Sequence, residues 1–480
     1  MQESLKTTTP EPLPLSVAEH LSYAYLAPSS LAMAAGQAQL ELATSGGTPA
    51  EHPFFFSGSV QHPIVVAQSL LMLARVARTR FYVPPNSLAA VLRAADPVVT
   101  CTPEGLRFES FSACCGVYAR LDVDAAALST THQRSGVTNV DVNPPLRQAL
   151  ASLKPREALQ LNVGSHALQV STPQTQVVEE KVPLPSRWLK GFAETQMLCA
   201  SMSLRHAIQG PAVHQFVQTL PRSSATKSVM WAAPSLRALR LASSPSRDAV
   251  CVAGPERLRV LEPLLRFASA LRAYGPDVDS VSLPQPSAWV LELPGARITL
   301  ALSPEKARGF SGEGSVLHLL AQGDAQEDAD FLASLLAFEP RINIPELARR
   351  ALLPEAQIAA ALSVLASSGQ VGFDLTAGCY FHRPLPVQTE LLNRLHPRLA
   401  NAQKLVNQGA VTELGKERFT VQSDQQLYEV LLAEQAAQDR CNCPWFAKYQ
   451  GTRGPCKHTL AVRIFLDPLS DPSPATGAMP

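Results

Sequence analysis

Near its C-terminus the sequence reads Cys441-Asn442-Cys443-Pro444-Trp445-Phe446-Ala447-Lys448-Tyr449-Gln450-Gly451-Thr452-Arg453-Gly454-Pro455-Cys456-Lys457-His458. This is a Cys-x-Cys-x12-Cys-x-His arrangement, and three thiolates with one imidazole complete the tetrahedral ligand set that zinc prefers. A closed set leaves no position for water or substrate, so such a metal is structural. The stretch therefore predicts one structural zinc ion held by Cys441, Cys443, Cys456 and His458.

The alternative interpretation of the cysteines is a redox pair. Cys-x-Cys lacks the helix start that lowers the thiol pKa in Cys-x-x-Cys proteins, so we favour zinc. The flanking sequence also favours a small folded module. Residues 411–413, 419–421 and 427–432 have the pattern of short strands separated by turns, and residues 459–465 that of a short apolar helix.

The order of strand, Cys-x-Cys, loop, Cys-x-His and helix over residues 427–465 resembles the SWIM zinc-finger family. The loop length and the Gly-Pro-Cys-Lys-His ending are similar to those of its bacterial members. The resemblance implies a zinc-binding module that contacts DNA or proteins. Longer bacterial members that resemble this chain are often encoded beside MoxR-type AAA ATPases and von Willebrand A domain proteins, which implies partners of these kinds.

The zinc segment is basic although the whole chain is not. Between Arg440 and Arg463 there are five basic residues and no acidic one. Basic residues interleaved with aromatic ones can contact phosphate and stack on unpaired bases. We expect Trp445 to belong to the core of the finger. The predicted contact residues for nucleic acid or a partner are Arg440, Lys448, Tyr449, Arg453, Lys457 and Arg463.

A second module is predicted upstream of the finger. Apolar spacing indicates helices near residues 331–336, 345–352 and 354–368, and an alternating hairpin follows at residues 371–383. Three short helices and a hairpin resemble a winged helix-turn-helix. The third helix contains Glu355 and no Lys or Arg, whereas a groove-reading helix presents basic or amide side chains. We therefore favour a structural or protein-docking role over DNA reading.

The rest of the chain has mixed helical and strand patterns, so the predicted fold class is α+β multidomain. Residues 222–247 carry several basic residues and no acid, and we favour a solvated linker over a basic patch. The predicted divisions are a partly ordered segment 1–50, an α+β region 51–221, the linker 222–247, an α+β region 248–326, the winged-helix-like module 327–385, a helical connector with the first strands 386–426, the SWIM-type finger 427–466 and a disordered tail 467–480.

Composition limits the possible functions. The chain has 480 residues, 41 Lys+Arg against 40 Asp+Glu and a formal charge of +1, so any anion-binding patch must be local. Its nine cysteines do not form a disulfide framework, and we find neither a signal peptide nor an apolar stretch of membrane-spanning length. These features predict a cytoplasmic protein that does not enter a membrane.

No nucleophile elbow, Walker motif or paired-carboxylate arrangement is evident, so we expect no enzyme activity. The segment Gly309-Phe310-Ser311-Gly312-Glu313-Gly314-Ser315 has glycines as a phosphate loop does, but it lacks the Gly-Lys-Ser/Thr ending and is read as a turn. The predicted function is that of a non-catalytic, zinc-binding adaptor that interacts with other proteins. The predicted partners are a MoxR-type AAA ATPase and von Willebrand A domain proteins. The alternative is DNA binding through the basic, aromatic zinc loop.

Overall fold

The computed structural model describes most of the chain as six sheets and the helices that pack on them. The predicted N-terminal segment is described only at its short strands, and the predicted tail lies outside the described residues. The described residues are 21–23, 30–34, 37–42, 54–82, 97–139, 144–154, 157–164, 182–184, 186–224, 229–276, 284–310, 314, 317–320, 323–385, 396–433 and 436–466.

The largest sheet is antiparallel throughout and has the order β12-β16-β17-β18-β7-β6-β5-β9. Its central strands are buried at nearly every position because both faces are covered. Its strands are β5 (Val98–Thr102), β6 (Gly105–Phe111), β7 (Val117–Asp124), β9 (Gly136–Asn139), β12 (Met202–Gln209), β16 (Ala270–Pro276), β17 (Ser287–Leu293) and β18 (Ala296–Leu302).

Side chains of β7 alternate between two cores, as the two-residue period of a strand requires. Val117 and Leu121 pack with helix α1 (Pro63–Arg78) and a 3-10 helix (Pro255–Phe267) on one face. Tyr118 packs on the other face with Trp188 and Phe192. These two aromatic residues lie on helix α3, so helices cover both faces of the sheet. The helices beside these elements are α2 (Pro144–Ser152), α3 (Ser186–Ala200) and α4 (Pro211–Thr219).

A second sheet has the order β2-β3-β10-β4-β8, in which β10 runs parallel to β3 and antiparallel to β4. Two further strands, β1 and β11, pair with each other. The bounds are β1 (Leu21–Tyr23), β2 (Ser30–Ala34), β3 (Gln37–Leu42), β4 (Phe54–Val60), β8 (Leu128–Gln133), β10 (Ala158–Gly164) and β11 (Val182–Leu184).

The structure differs from the sequence prediction at residues 222–247. Instead of a linker, this segment contains strands β13 and β14 of a three-stranded sheet, whose order is β14-β13-β15. Among many Ser, Ala and Arg residues, the strands show only a short alternation of buried and exposed side chains, and Trp231 and Leu239 are buried. Residues 225–228 lie outside the described part. The strands are β13 (Val229–Ser235), β14 (Ala238–Ala242) and β15 (Val250–Ala253).

Three helices and a hairpin lie where the sequence predicts them. The third helix, α8, packs against α3 and is buried over residues 361–367, whereas its first turn is exposed. Asn343 caps the second helix by accepting a hydrogen bond from the Glu346 N–H at 3.0 Å. The elements are α5 (Leu317–Leu320), α6 (Gly323–Leu335), α7 (Ile344–Ala351), α8 (Glu355–Ser367), β19 (Val371–Asp374) and β20 (Cys379–His382).

A buried network of charges fixes this hairpin on the eight-stranded sheet. Asp374 of β19 accepts hydrogen bonds from Arg107 at 2.9 Å and from Arg297 at 2.8 Å. Asp122 on the sheet pairs with Arg107 at 2.6 Å and with Arg120 at 2.8 Å. Arg107 also lies 3.6 Å from the ring centroid of Phe381 on β20. The hairpin therefore faces the sheet rather than solvent.

This network predicts loss of stability in acid. Burial alone would raise the pKa of Asp374 and of Asp122, but the neighbouring arginines outweigh it and lower the pKa of both carboxyls. Because the folded-state pKa lies below the unfolded value of about 3.9, the unfolded state binds protons first. The stabilisation is complete at neutral pH, and we expect it to decline below about pH 5 as pH falls through the unfolded and then the folded pKa.

Urea unfolding followed by tryptophan fluorescence at about pH 7, 5 and 4 measures this effect. Asp374→Asn should be less stable at neutral pH and should show a smaller loss between pH 5 and 4. Equal pH dependence in the variant and the parent would contradict the assignment.

The C-terminal unit is a four-stranded antiparallel sheet between helices. Its elements are α9 (Pro397–Asn407), β21 (Val411–Gly415), β22 (Arg418–Ser423), β23 (Gln426–Leu431), β24 (Arg440–Cys441), α10 (Pro444–Tyr449) and α11 (Lys457–Phe465). No helix in the described ranges has the length and apolar character needed to span a membrane.

Candidate metal centre

Strand β24 and the starts of two helices bring the four predicted ligands together. Cys441 ends β24, Cys443 is the N-cap of α10, Cys456 is the N-cap of α11 and His458 lies in the first turn of α11. Pro444 follows Cys443 at the first helical position, where a proline loses no hydrogen bond. The spacing of the motif is thus the spacing between one strand end and two helix starts.

The donor atoms have the separations of a tetrahedral site. All four lie within 4.8 Å of one another, and all four residues are buried. The His458 Nδ1 lies 3.8 Å from the Sγ of Cys441 and 3.9 Å from that of Cys456. Zinc bonds of about 2.3 Å to sulfur and about 2.0 Å to nitrogen at tetrahedral angles require a sulfur to nitrogen distance of about 3.6 Å. The residues therefore fit a structural zinc ion, with His458 binding through Nδ1.

Backbone donors favour the thiolate form of two ligands. The Cys443 Sγ accepts from the Phe446 N–H, and the Cys456 Sγ accepts from the Thr459 N–H, each at 3.4 Å. The pKa of Cys456 is lowered by hydrogen bonds from the thiols of Cys441 and Cys443, against the raising effect of burial. The pKa of Cys441 is raised by hydrogen bonding with Cys443 and Cys456 and by burial, and the pKa of Cys443 is raised as well. Cys456 is therefore the ligand held as the thiolate that zinc binds.

The centre is part of a shared core. The ring of His458 stacks on that of Tyr428, with centroids 4.2 Å apart. Leu399 and Leu405 of α9 pack in the same cluster as Cys441, Val430 and the apolar face of α11. This contribution of α9 lies outside the motif.

Arg398 holds the zinc loop from outside the motif and is the functional residue that the sequence did not reveal. It donates to the carbonyls of Arg453 at 2.7 Å and Pro455 at 2.9 Å, and its guanidinium lies 4.6 Å from the Trp445 ring centroid. Gly454 has a positive φ of 73°, and a Cβ there would lie 2.1 Å from the Gly314 carbonyl oxygen. The loop is therefore fixed against the preceding part of the chain.

The predicted contact residues lie in different environments. Arg440 and Lys448 are exposed, and Tyr449 and Arg453 are half-buried. Lys457 pairs with exposed Asp424 at 3.0 Å.

Arg463 is bound within the unit. It pairs with Asp439 at 2.7 Å and donates to the carbonyl of Ala433. This pair engages its guanidinium, so Arg463 has a structural partner.

Aromatic rings and cations alternate along the zinc loop. Trp445 is half-buried and packs against the core of the finger, as expected. Its ring centroid lies 4.5 Å from that of Tyr449, and Arg453 lies 4.8 Å from the Tyr449 centroid. Lys448 lies 5.1 Å from the same ring. We call Trp445, Lys448, Tyr449 and Arg453 the loop ladder.

Comparison with known proteins matches this region. The family model "SWIM zinc finger" matches residues 426–464. A comparison with curated proteins finds no match. Among solved structures, the chain is similar to Proliferating Cellular Nuclear Antigen from Entamoeba histolytica, with a TM-score of 0.31 and 6% identity over 52% of this chain and 98% of that chain. The family match and the Cys3His cluster together identify residues 426–464 as a SWIM zinc finger with a site for one structural zinc ion.

Proposed function

We propose that the chain is a non-catalytic adaptor that docks protein partners through its zinc finger. The observation that carries this proposal is the burial of the upstream helices and hairpin. A winged helix reads DNA with its third helix and hairpin. Here residues 361–367 of α8 are buried, the helix packs against α3 and α6, and its exposed first turn carries Glu355 and no cation. The hairpin strands β19 and β20 face the sheet through Asp374 and Phe381. If this module is winged-helix-like, it serves as a scaffold.

The sheet of the finger carries apolar side chains that suit a protein partner. Leu427 and Leu431 lie four residues apart on β23, so they share one face of the strand. They are 62% and 41% exposed. Exposed apolar side chains on one sheet face favour contact with another protein surface. The resemblance of the finger supports partners of the MoxR-type AAA ATPase and von Willebrand A kinds, in the cytoplasm.

The proposal that the chain is not an enzyme is supported by the side chains that line a cavity beside the charged network. That cavity has a volume of about 390 Å³ and is lined by Arg107, Asp122, Arg297 and Arg341 among others. Arg341 pairs with Glu104 at 3.0 Å, and the others pair within the network. Its charged side chains are thus engaged with each other.

The loop ladder favours a second candidate function, nucleic-acid binding. Tyr449 and Trp445 offer ring faces and Lys448 an exposed cation, a combination that binds single strands by stacking and phosphate contact.

Affinity purification of the full chain from its native host, with and without nuclease, distinguishes the two functions. For an adaptor, we expect an AAA ATPase or von Willebrand A protein to remain bound after nuclease treatment. Leu427→Lys should reduce its recovery about tenfold, since truncated or charged interface anchors cost 1 to 2 kcal/mol or more. Leu352→Lys is the matched control because Leu352 is 90% exposed and distant in sequence from the finger.

Loss of all bound protein after nuclease treatment would contradict the adaptor proposal. Retention of nucleic acid that depends on Lys448, tested with Lys448→Glu, would support the second candidate instead.

A further inference from the structure

A second basic surface lies far from the finger in the sequence. Residues 201–255 contain six basic residues, Arg205, Arg222, Lys227, Arg237, Arg240 and Arg247, and one acid, Asp248, so their formal charge is 6 − 1 = +5. The whole chain carries only +1. Five of these six basic residues lie in residues 222–247, the stretch predicted to be a linker, which contains strands β13 and β14.

Four arginines of the segment 201–255 are exposed to solvent, namely Arg222, Arg237, Arg240 and Arg247. The acid of the segment, Asp248, pairs with Arg205 at 3.4 Å. Within the described ranges, none of the four exposed arginines forms an ion pair. Their charge is therefore available to an anionic partner.

The turn between β13 and β14 carries an unusual residue. Leu236 is fully exposed, at 106% of its reference area, and has a positive φ of 54°. Gly or Asn adopts this left-handed conformation at lower cost, and hairpin turns of this kind normally use them. Against the described residues, a leucine here gains no packing that would offset the backbone strain and the exposed apolar surface. Strain of this kind points to contact with a partner.

We propose that the β13–β14 hairpin binds double-stranded DNA, with Arg237 and Arg240 on phosphates and Leu236 at the groove. We call Leu236, Arg237 and Arg240 the hairpin tip. Guanidinium groups match phosphate oxygens in bidentate geometry. Minor-groove binders combine arginines with an apolar side chain that enters the groove, and Leu236 has Arg237 beside it in the turn. The proposal goes beyond the adaptor function, which concerns the finger.

Charge and shape favour DNA over an acidic protein at this surface. Arg237 directly precedes strand β14 and Arg240 is its third residue, so the two lie three residues apart, about 10 Å at about 3.4 Å per residue, a separation that reaches neighbouring phosphates. The large aromatic side chain of the sheet, Trp231, is 5% exposed and offers no anchor to a protein partner. Leu236 alone supplies the exposed large apolar contact of the described hairpin.

The test is fluorescence anisotropy of the full-length chain with a labelled duplex of random sequence, over a series of salt concentrations. For a surface that neutralises phosphates, log K falls linearly with log salt, and each contact contributes about 0.9 to the slope. Removing two contacts with Arg237→Glu/Arg240→Glu should lower the slope by about 1.8 and the affinity by about 100-fold at about 50 mM salt.

A control for folding comes from the turn itself. Leu236→Asn should keep or raise the melting temperature, because Asn tolerates a positive φ, while it lowers affinity about threefold through loss of the groove contact. Arg349→Glu is the matched charge-reversal control, because Arg349 is exposed on α7 and belongs neither to the hairpin tip nor to the finger, and it should leave duplex binding unchanged. Failure of the hairpin proposal is thus measured independently of the finger, whose partners are tested by affinity purification.

Three results would overturn the proposal. The first is an unchanged salt slope in the double arginine variant. The second is equal affinity of Leu236→Asn and the parent. The third is competition by polyglutamate as effective as that by unlabelled duplex at equal charge, which would assign the surface to an acidic protein.

Discussion

Cys456→Ser is expected to abolish zinc binding and unfold the C-terminal finger. Cys456 supplies one of four ligands, and its Sγ also caps α11 through the Thr459 N–H. Structural zinc contributes about 10 to 16 kcal/mol of apparent binding free energy to the folding of small modules, so the finger has no comparable alternative source of stability. Val430 and Leu460 of its core would then become accessible to solvent.

Elemental analysis of the purified full chain and hydrogen exchange over the finger measure this effect. We expect about one zinc per chain in the parent and almost none in the variant, with rapid exchange of the backbone of β23 and α11. Cys379→Ser is the matched control, because Cys379 lies on β20 outside the cluster. One zinc per chain in both the parent and Cys456→Ser would overturn the ligand assignment.

Glu109→Gln is expected to destabilise the unit formed by the large sheet and the hairpin by about 3 to 5 kcal/mol, since it leaves a buried guanidinium without its counter-charge. Arg383 donates to Glu109 at 2.8 Å, and both side chains are 0% exposed. Glu109 also accepts from the Tyr118 hydroxyl at 2.6 Å, so Gln can keep one hydrogen bond while the charge of Arg383 loses its partner.

Urea unfolding followed by tryptophan fluorescence gives the change in midpoint, with two comparisons. Arg341→Gln breaks an ion pair of 3.0 Å whose partners are 65% and 47% exposed, and it should cost at most about 1 kcal/mol. Glu109→Gln/Arg383→Met removes both charges and should recover part of the loss. Equal effects of Glu109→Gln and Arg341→Gln would show that the buried pair does not stabilise the unit.

The zinc ligands could be predicted from the sequence because they depend on local spacing. Cys441 and Cys443 mark a strand end and a helix start, and Cys456 and His458 mark the next helix start. A short motif with fixed turns gives this geometry without long-range information. The helices and hairpin of residues 323–385 were also predictable, because their apolar periodicity is strong.

Features that depend on distant segments were not predictable. Arg398 lies 55 residues before Arg453, the residue whose carbonyl it binds, and no pattern joins the two. Arg107 and Asp374 are 267 residues apart in the chain, so the burial of the hairpin against the sheet could not be read from either segment.

The interpretation of residues 222–247 as a linker failed for a different reason. Composition rich in Ser, Ala and Arg is typical of loops, but Trp231 and Leu239 are buried in strands of a sheet whose third strand, β15, lies outside the segment. Burial of such weakly alternating strands depends on the elements that pack against them rather than on their own sequence pattern.

The close approach of Gly454 to Gly314, together with the packing of α9 beneath the ligands, has a consequence for gene fusion and domain shuffling. A recombination breakpoint at residue 426 would transfer every metal ligand and yet leave behind Leu399, Leu405 and Arg398. The segment that must be transferred for the finger to fold is therefore longer than the motif. A chimaera that carries the finger into another protein should retain residues from 396 onward and should keep glycine at position 454, whose φ of 73° does not depend on Gly314.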